Sequence, residues 1–298
     1  MSMYKITLLY DEEGWAYHKR CLALAKYAPP DFKVTLARGN TEDIPTYCDL
    51  ALQLCYSHIG TYRNKCKAAG FSPKIVAGLN IGYNAKWFRV ARREADYVVV
   101  NSQLCFDAIP NKKNTTWISN GVDLEKYRPS TSNREVDVIS TGSLFHRETK
   151  GYDDFLIPIA KHLFNKGIKC DFRLVNSHGG PSKRNEEEMI AWYNTGKVYL
   201  VTSITEGTPN PALEAAACGC LVVATKVGNM PELISDGVNG FLVDREISKI
   251  CVALEYSLAK ENWLNMSLKI QETMKNYWGW DKKATQYYNL FRSLLNGS

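Results

Sequence analysis

Short runs rich in Ile, Val, Leu and Tyr alternate along the chain with segments long enough to form helices. Residues 4–10 read as a strand and 15–27 as the helix after it, with further strands at 33–38, 50–56, 74–80, 97–102 and 115–119. These runs are apolar throughout rather than alternating, which implies parallel strands covered on both faces and joined by helical crossovers. After Tyr127-Arg128-Pro129 the chain turns polar, and Ser-Thr-Ser-Asn-Arg at 130–134 reads as a linker. The pattern then restarts with strands at 136–141, 172–176, 198–203, 221–225 and 241–243. A helix is expected at 152–166, a long helical region at 247–276 and a last helix at 281–295. The expected fold class is α/β, two Rossmann-like doubly wound domains in series. Their bounds are 1–130 and 131–280, with residues 281–298 forming a helix that packs back on the first domain.

Composition narrows this little. With 298 residues, 45% apolar and 23% charged, the chain is an ordinary globular one, which excludes a disordered chain, a coiled coil and a small disulfide scaffold. Its nine cysteines form no C-x-x-C pair, so reduced thiols in a cytoplasmic protein are expected. Asp11, Glu12 and Glu13 interrupt the N-terminal apolar run, so no signal-peptide core is expected. No apolar run approaches the roughly 20 residues of a membrane helix, which leaves a membrane to be met only from its surface.

Charge distribution says more than the net +6. Residues 1–130 carry 18 Lys and Arg against 12 Asp and Glu, whereas 131–298 carry 19 of each. From Leu50 to Arg93 there is no acid at all, and Lys86, Arg89, Arg92 and Arg93 crowd its end. A one-signed face attracts polyanions or anionic headgroups; a merely solvated face is the plain alternative. The segment 86–93 fits a basic amphipathic helix for an anionic surface, or a helix that packs Trp87, Val90 and Ala91 inward.

The densest chemistry follows the strand at 198–203. Thr202-Ser-Ile-Thr-Glu206-Gly-Thr-Pro-Asn-Pro211-Ala-Leu-Glu214 carries a loop into a helix, with Asn210 suited to the N-cap and Pro211 to the first helical position. A helix N-terminus at the carboxyl edge of a parallel sheet favours an anion. The carboxylates of Glu206 and Glu214 beside it suit a ligand that also bears hydroxyls. A second loop faces the same edge: Gly142-Ser143, then Phe145-His146-Arg147-Glu148-Thr149-Lys150-Gly151. Gly142 allows close backbone approach, and Arg147 and Lys150 supply cations for a diphosphate. Gly228-Asn229-Met230-Pro231-Glu232 is a third loop-to-helix junction.

Glu206 and Glu214, seven residues apart within Glu-Gly-Thr-Pro-Asn-Pro-Ala-Leu-Glu-Ala-Ala-Ala-Cys-Gly-Cys, resemble the E-x7-E signature of family 4 glycosyltransferases. The likeness extends through Lys150-Gly151, Gly228 with Pro231-Glu232, Asp236-Gly237, Asn239-Gly240, and Ser119-Asn120-Gly121-Val122-Asp123. It is specific over residues 95–244 and weaker over 1–94, where only Gly14 fits the family's glycine-bearing donor loop. The resemblance implies the GT-B architecture, two Rossmann-like domains facing a cleft, and sugar transfer with retention. By that resemblance Glu214 holds the ribose hydroxyls of a nucleotide sugar. Glu206 and the amides of Gly207, Thr208 and Asn210 within the Gly207–Pro211 loop, Pro209 included, hold the sugar and diphosphate, and Lys150 neutralises the leaving group. Two departures stand out. Ser143 occupies the position where the family carries Arg, with Arg147 as a substitute. The family's first-domain His has Asn80 or Ile81 as its counterpart, with His58 and His18 as alternatives; His146 and His178 read as structural.

The expected function is therefore that of a nucleotide-sugar-dependent hexosyltransferase using a UDP- or GDP-linked donor as co-substrate, with no metal and no other cofactor. An envelope or lipid-linked glycan is the expected acceptor. Hydroxymethylated bases of DNA are the alternative, since the positive first domain also suits a polyanion. A non-catalytic nucleotide-sugar or nucleic-acid binding protein and a nucleotide-sugar epimerase are the readings of other kinds.

Overall fold

The computed structural model describes residues 3–39, 44–45, 47–80, 82, 84–131, 133–144, 146–175 and 185–297. Ile81, Phe145, Asn176 and His178, named above, lie outside the described residues.

The chain folds into two units, residues 1–121 with 280–298, and residues 122–279. The first holds six parallel strands: β1 (Tyr4–Tyr10), β2 (Phe32–Arg38), β3 (Leu50–Gln53), β4 (Lys74–Leu79), β5 (Tyr97–Val100) and β6 (Thr115–Trp117), in the order β2-β1-β3-β4-β5-β6. Alternate residues of these strands enter two separate cores. Ile6, Leu8, Leu52 and Val76 face one side, and Leu9, Ala51, Ile75 and Ala77 the other. Helices α1 (Ala16–Lys26), α2 (Ile59–Ala68), α3 (Ala85–Glu94) and α4 (Gln103–Asp107) make the crossovers.

The second unit repeats the plan with β7 (Val136–Ser143), β8 (Cys170–Val175), β9 (Gly196–Val201), β10 (Leu221–Thr225) and β11 (Gly240–Val243), in the order β11-β10-β9-β7-β8. Ile139, Tyr199 and Val222 face one core, and Val138, Val198 and Val223 the other. Its helices are α5 (Arg147–Lys150), α6 (Ile157–Phe164), α7 (Glu186–Tyr193), α8 (Asn210–Ala217), α9 (Met230–Leu233), α10 (Ile247–Leu258) and α11 (Lys260–Thr273). Both units are thus Rossmann-like, with parallel sheets buried on both faces.

Three sequence expectations need correction. The units divide at 121/122 and 279/280 rather than at 130 and 280, because what reads as a linker is strapped to the second unit. Arg134 donates to the carbonyl oxygens of Gly196 and Cys218, the Ser130 amide to Asn194 Oδ1 at 2.8 Å, and Val122 and Tyr127 are buried in that unit's core. The helix expected at 152–166 opens with a π-helical turn, Tyr152–Leu156. Pro158 lacks the N–H that would close an α-turn onto Asp154, and the Leu156 amide reaches back to Gly151 O at 3.0 Å instead. The region 247–276 is two helices, broken at Ala259, whose ψ is 127°.

Helix α12 (Trp280–Asn296) returns to the first unit and buries Tyr287, Tyr288 and Phe291 completely. The Tyr288 hydroxyl donates to Leu24 O at 2.8 Å, and Arg292 forks onto Asp31 at 2.7 and 2.8 Å. This return changes the charge balance. The first unit carries 19 Lys and Arg against 11 Asp and Glu, and the second 18 against 20, so the formal charges are +8 and −2. Among the described residues no helix is long and apolar enough to cross a membrane.

Phe291→Ala empties a fully buried site and is expected to cost about 3–5 kcal/mol, read as a lowered urea midpoint. The Arg292 hydrogen bonds hold the Asp31 carboxyl below the ordinary carboxylate range. Its contribution is therefore complete above the unfolded value near 3.9 and is lost as pH falls through the lower folded one. Asp31→Asn should flatten that acid limb in a pH series of unfolding midpoints, leaving the curve above about pH 5 parallel to that of the parent.

Candidate active site

In the second sheet the chain leaves β7 to one side for β8 and to the other for β9. Such a reversal leaves a crevice at the carboxyl ends of the two central strands, where open α/β sheets bind ligands. A pocket lies there, lined among others by Thr141, Lys150, Ser203, Glu206, Pro209 and Pro211.

The two charged groups in it face each other. Lys150, the last residue of α5, makes an ion pair and hydrogen bond to Glu206 Oε1, and Ser203 Oγ donates to the same oxygen at 2.7 Å. The side chains are 24% and 11% exposed, so the pair is shielded yet reachable. Its backbone is fixed from both sides. Thr202 Oγ1 donates to Lys150 O at 2.8 Å, the Ile204 amide to Thr149 O at 2.9 Å, and Arg245 Nε to Thr202 O at 2.9 Å. At the floor the hydroxyls of Thr141 and Tyr199 share a 2.6 Å hydrogen bond. Glu214 lies on α8 and accepts from the hydroxyl of the fully buried Tyr193 at 2.8 Å. Burial, with the Glu214 charge beside it, pushes that phenol far above its usual range and keeps it a donor.

The loop before α8 differs from expectation. Asn210 is the first helical residue rather than the cap, and Pro209 takes the cap position. The Asn210 amide is spent on Thr208 O at 2.9 Å, because the chain makes a tight three-residue turn about Pro209, at φ −74° and ψ 77°. Prolines have no N–H, so Pro209 and Pro211 bring no amide either.

The other expected residues divide. Gly142 owes its identity to the chain's own packing: a Cβ there would lie 2.5 Å from the Tyr152 ring. Ser143 ends β7 with a buried hydroxyl that meets no partner among the described residues. Arg147 is turned to the surface, forked onto Asp153 and 5.1 Å over the Tyr152 ring, and does not line the pocket. In the first unit Gly14 has φ +76° with open space at its Cβ, and its amide donates to His18 Nδ1 at 2.8 Å. His58 Nδ1 lies 3.0 Å from Cys55 Sγ and 3.2 Å from Ser57 Oγ, a local cluster. Asn80 follows β4 and accepts from Arg20. On α3, Phe88 and Ala91 face the core. Lys86 sits over the Trp87 ring at 5.1 Å, Arg89 Nε donates to Ala85 O, Arg92 to Asn111 O, and Arg93 pairs with Glu94.

The sequence assigns no role to Ser203, to Tyr193 or to the buried Asn229, whose Nδ2 lies 3.4 Å from Thr208 Oγ1. Gly228 was seen only as part of a junction. It has φ +52°, and a Cβ on it would stand 2.6 Å from Gly207 O and 3.2 Å from Glu206 Cβ. The junction therefore backs the Glu206–Gly207 loop.

The chain is similar to known proteins in sequence and in fold. Residues 135–259 match the family model described as Glycosyl transferases group 1. A D-inositol 3-phosphate glycosyltransferase of Paenarthrobacter aurescens (strain TC1) is 32% identical over 111 residues, 37% of this chain and 27% of that protein. The phosphatidylinositol N-acetylglucosaminyltransferase gpi3 subunit of Schizosaccharomyces pombe is 23% identical over 307 residues, 90% of this chain and 64% of that protein. The chain thus spans less than two thirds of the length of either relative. Among solved structures, a sucrose-phosphate synthase from Thermosynechococcus elongatus superposes with TM-score 0.75 at 15% identity, covering 99% of this chain and 100% of that one. Anabaena Alr3699/HepE in complex with UDP and glucose gives 0.70 at 16%, covering 97% and 100%. The fold is that of GT-B glycosyltransferases, two Rossmann-like domains.

Gly228→Ala should drive the Glu206–Gly207 loop out of place and cost about 1–3 kcal/mol, read as a lowered Tm. A Tm equal to that of the parent would show that the loop is not braced from behind.

Proposed function

We propose that the chain is a retaining glycosyltransferase of the hexosyltransferase type. It moves a sugar from a UDP- or GDP-linked donor to a hydroxyl of an envelope or lipid-linked glycan, at the cytoplasmic face of an anionic membrane. The observation that carries the reading is the Lys150–Glu206–Ser203 arrangement at the carboxyl edge between β7 and β9. Support for a nucleotide-sugar donor comes from the superposable Anabaena protein, which holds UDP and glucose. Support for a lipid-linked acceptor comes from the relatives named for inositol phosphate and phosphatidylinositol, and from the +8 formal charge of the first unit.

In this reading the donor diphosphate lies against Lys150. The ammonium has three protons, so it keeps Glu206 with one while the others meet phosphate oxygens. As the bond from the anomeric carbon to the phosphate oxygen breaks, its electron pair passes to the diphosphate, and the fixed cation stabilises that charge. The acceptor hydroxyl oxygen forms the new bond to the anomeric carbon and passes its proton to the departing diphosphate oxygen. Glu206 orients the sugar through its hydroxyls while its Oε1 stays anchored by Lys150 and Ser203. Glu214, steered by Tyr193, takes the ribose hydroxyls. No step in the scheme assigns a role to a metal, since the leaving charge falls to Lys150, and Arg147 joins only if it leaves Asp153.

Lys150→Ala and Glu206→Ala should each lower kcat by about 10²–10³, the usual loss on removing one such stabilising group. Transfer from a UDP- or GDP-sugar to lipid-linked acceptors in anionic vesicles is the assay, with the anomeric configuration of the product read by NMR. Activity should persist in EDTA. Undiminished transfer by either variant would overturn the site, and an inverted product would overturn retention.

A further inference from the structure

A second feature lies at the carboxyl edge of the first sheet, far along the chain from the glycosyltransferase segment. Arg20, on α1, is only 2% exposed. It sits on the apolar stripe of its helix together with Cys21 and Leu24, and all three are buried. Its Nη1 donates to Asn80 Oδ1, just past the end of β4. Its guanidinium carbon stands 5.1 Å over the ring of Tyr287, from α12. Its Nε and Nη2 are buried and meet no hydrogen-bond partner among the described residues, and the same holds for Asn80 Nδ2 and the Tyr287 hydroxyl.

This pattern is costly without a ligand. Buried charges are ordinarily paired, and removing the partner of a buried charge is strongly destabilising. No carboxylate faces Arg20 among the described residues; the groups that act on its charge are Cys21 and Tyr17. The Cys21 thiol is pushed up to about 12 by burial, so it is neutral and no counter-ion. Burial in turn pulls the guanidinium down to about 10, still a cation at neutral pH.

The two orphaned nitrogens define the ligand. Nε–H and Nη2–H form one edge of the guanidinium, the fork that matches the two oxygens of a carboxylate or phosphate. Asn80 Nδ2 and the Tyr287 hydroxyl add donors beside it. Asn80 is only partly buried, so the group is approached from the sheet edge rather than through the core.

We propose that Arg20, Asn80 and Tyr287 form a receptor for one oxyanion, the carboxylate or phosphate group of a ligand that binds the first unit. Tyr287 makes the receptor dependent on α12, so the C-terminal helix completes a site whose other members lie some 200 residues or more before it in sequence. The proposal rests on binding and not on sugar transfer, so its failure would leave the Lys150–Glu206 site untouched.

The test titrates the full chain with inorganic phosphate and with acetate, against chloride at equal ionic strength. The Arg20 Nε resonance is followed by NMR and the Tm by thermal unfolding. One of the two anions should shift the Nε resonance saturably, and the one that binds tells phosphate from carboxylate. Arg20→Lys keeps the charge but loses the fork, and should weaken that binding at least tenfold. Arg20→Met should lose the anion-specific rise in Tm, while the general effect of phosphate on folded proteins stays equal in both chains and cancels. Tyr287→Phe, a milder change, should weaken binding without abolishing it. An Nε resonance unmoved by either anion, as for a fork satisfied by water alone, would overturn the proposal. Equal Tm increments in the parent and Arg20→Met would overturn it too.

Discussion

Burial of both faces of a parallel sheet is the constraint on which everything else in this molecule depends. Strands such as Leu50–Gln53 and Leu221–Thr225 are buried at every position, so neither face can carry a solvated site. The crossover helices that cover the faces must leave and re-enter at the strand ends. Polar side chains can reach a ligand only from those edges, and best where the strand order reverses. In the second unit the pocket falls at that reversal, between β7 and β9. In the first unit the polar cluster around Arg20 also gathers at the carboxyl edge, past the end of β4.

The two edges handle charge in opposite ways. In the second unit the cation is paired: Lys150 and Ser203 converge on one oxygen of Glu206, and the backbone on either side is tied down. Such a pair holds both side chains in one geometry before a ligand arrives, which lowers the ordering cost at binding. In the first unit the buried guanidinium of Arg20 has a neutral amide and an aromatic ring for company. The formal charges of the units, −2 and +8, follow the same division. One unit balances its charges within itself, and the other leaves positive charge for something else to meet.

The architecture was legible in the sequence because apolar runs of strand length, separated by helix-length segments, have few alternatives. The meeting of Lys150 with Glu206 in one pocket was legible too, since both lie in compact motifs at the carboxyl edge of the sheet. What misled was local chemistry with a tertiary answer. Residues 130–134 look like a linker, but Arg134 finds carbonyl acceptors on Gly196 and Cys218, more than 60 residues away in sequence. Arg147 looks like a phosphate ligand, but Asp153, six residues on, claims it. Asn210 has the composition of an N-cap, yet the prolines on either side of it shift the helix start by one residue. Arg20 did leave a signal, a lone charge on the buried stripe of α1. Its meaning depends on Asn80 and Tyr287, and no local pattern announces either.

Glycines make the same point about how the pocket keeps its shape. Gly142, next to last in β7, and Gly228, in the turn after β10, both lie at the carboxyl edge of the sheet, and close approach of a ligand is the natural reason for a glycine there. The atoms that exclude a side chain belong to the protein: the Tyr152 ring at Gly142, and the Gly207 carbonyl at Gly228. Asn229, fully buried next to Gly228, reaches toward Thr208 of the same loop. Neither Gly228 nor Asn229 lines the pocket, yet together they press the Glu206–Thr208 segment from behind. The segment that presents Glu206 is short and lies between β9 and α8. Its position has to be imposed from outside, and a glycine with no side chain lets the supporting turn come close enough to do so.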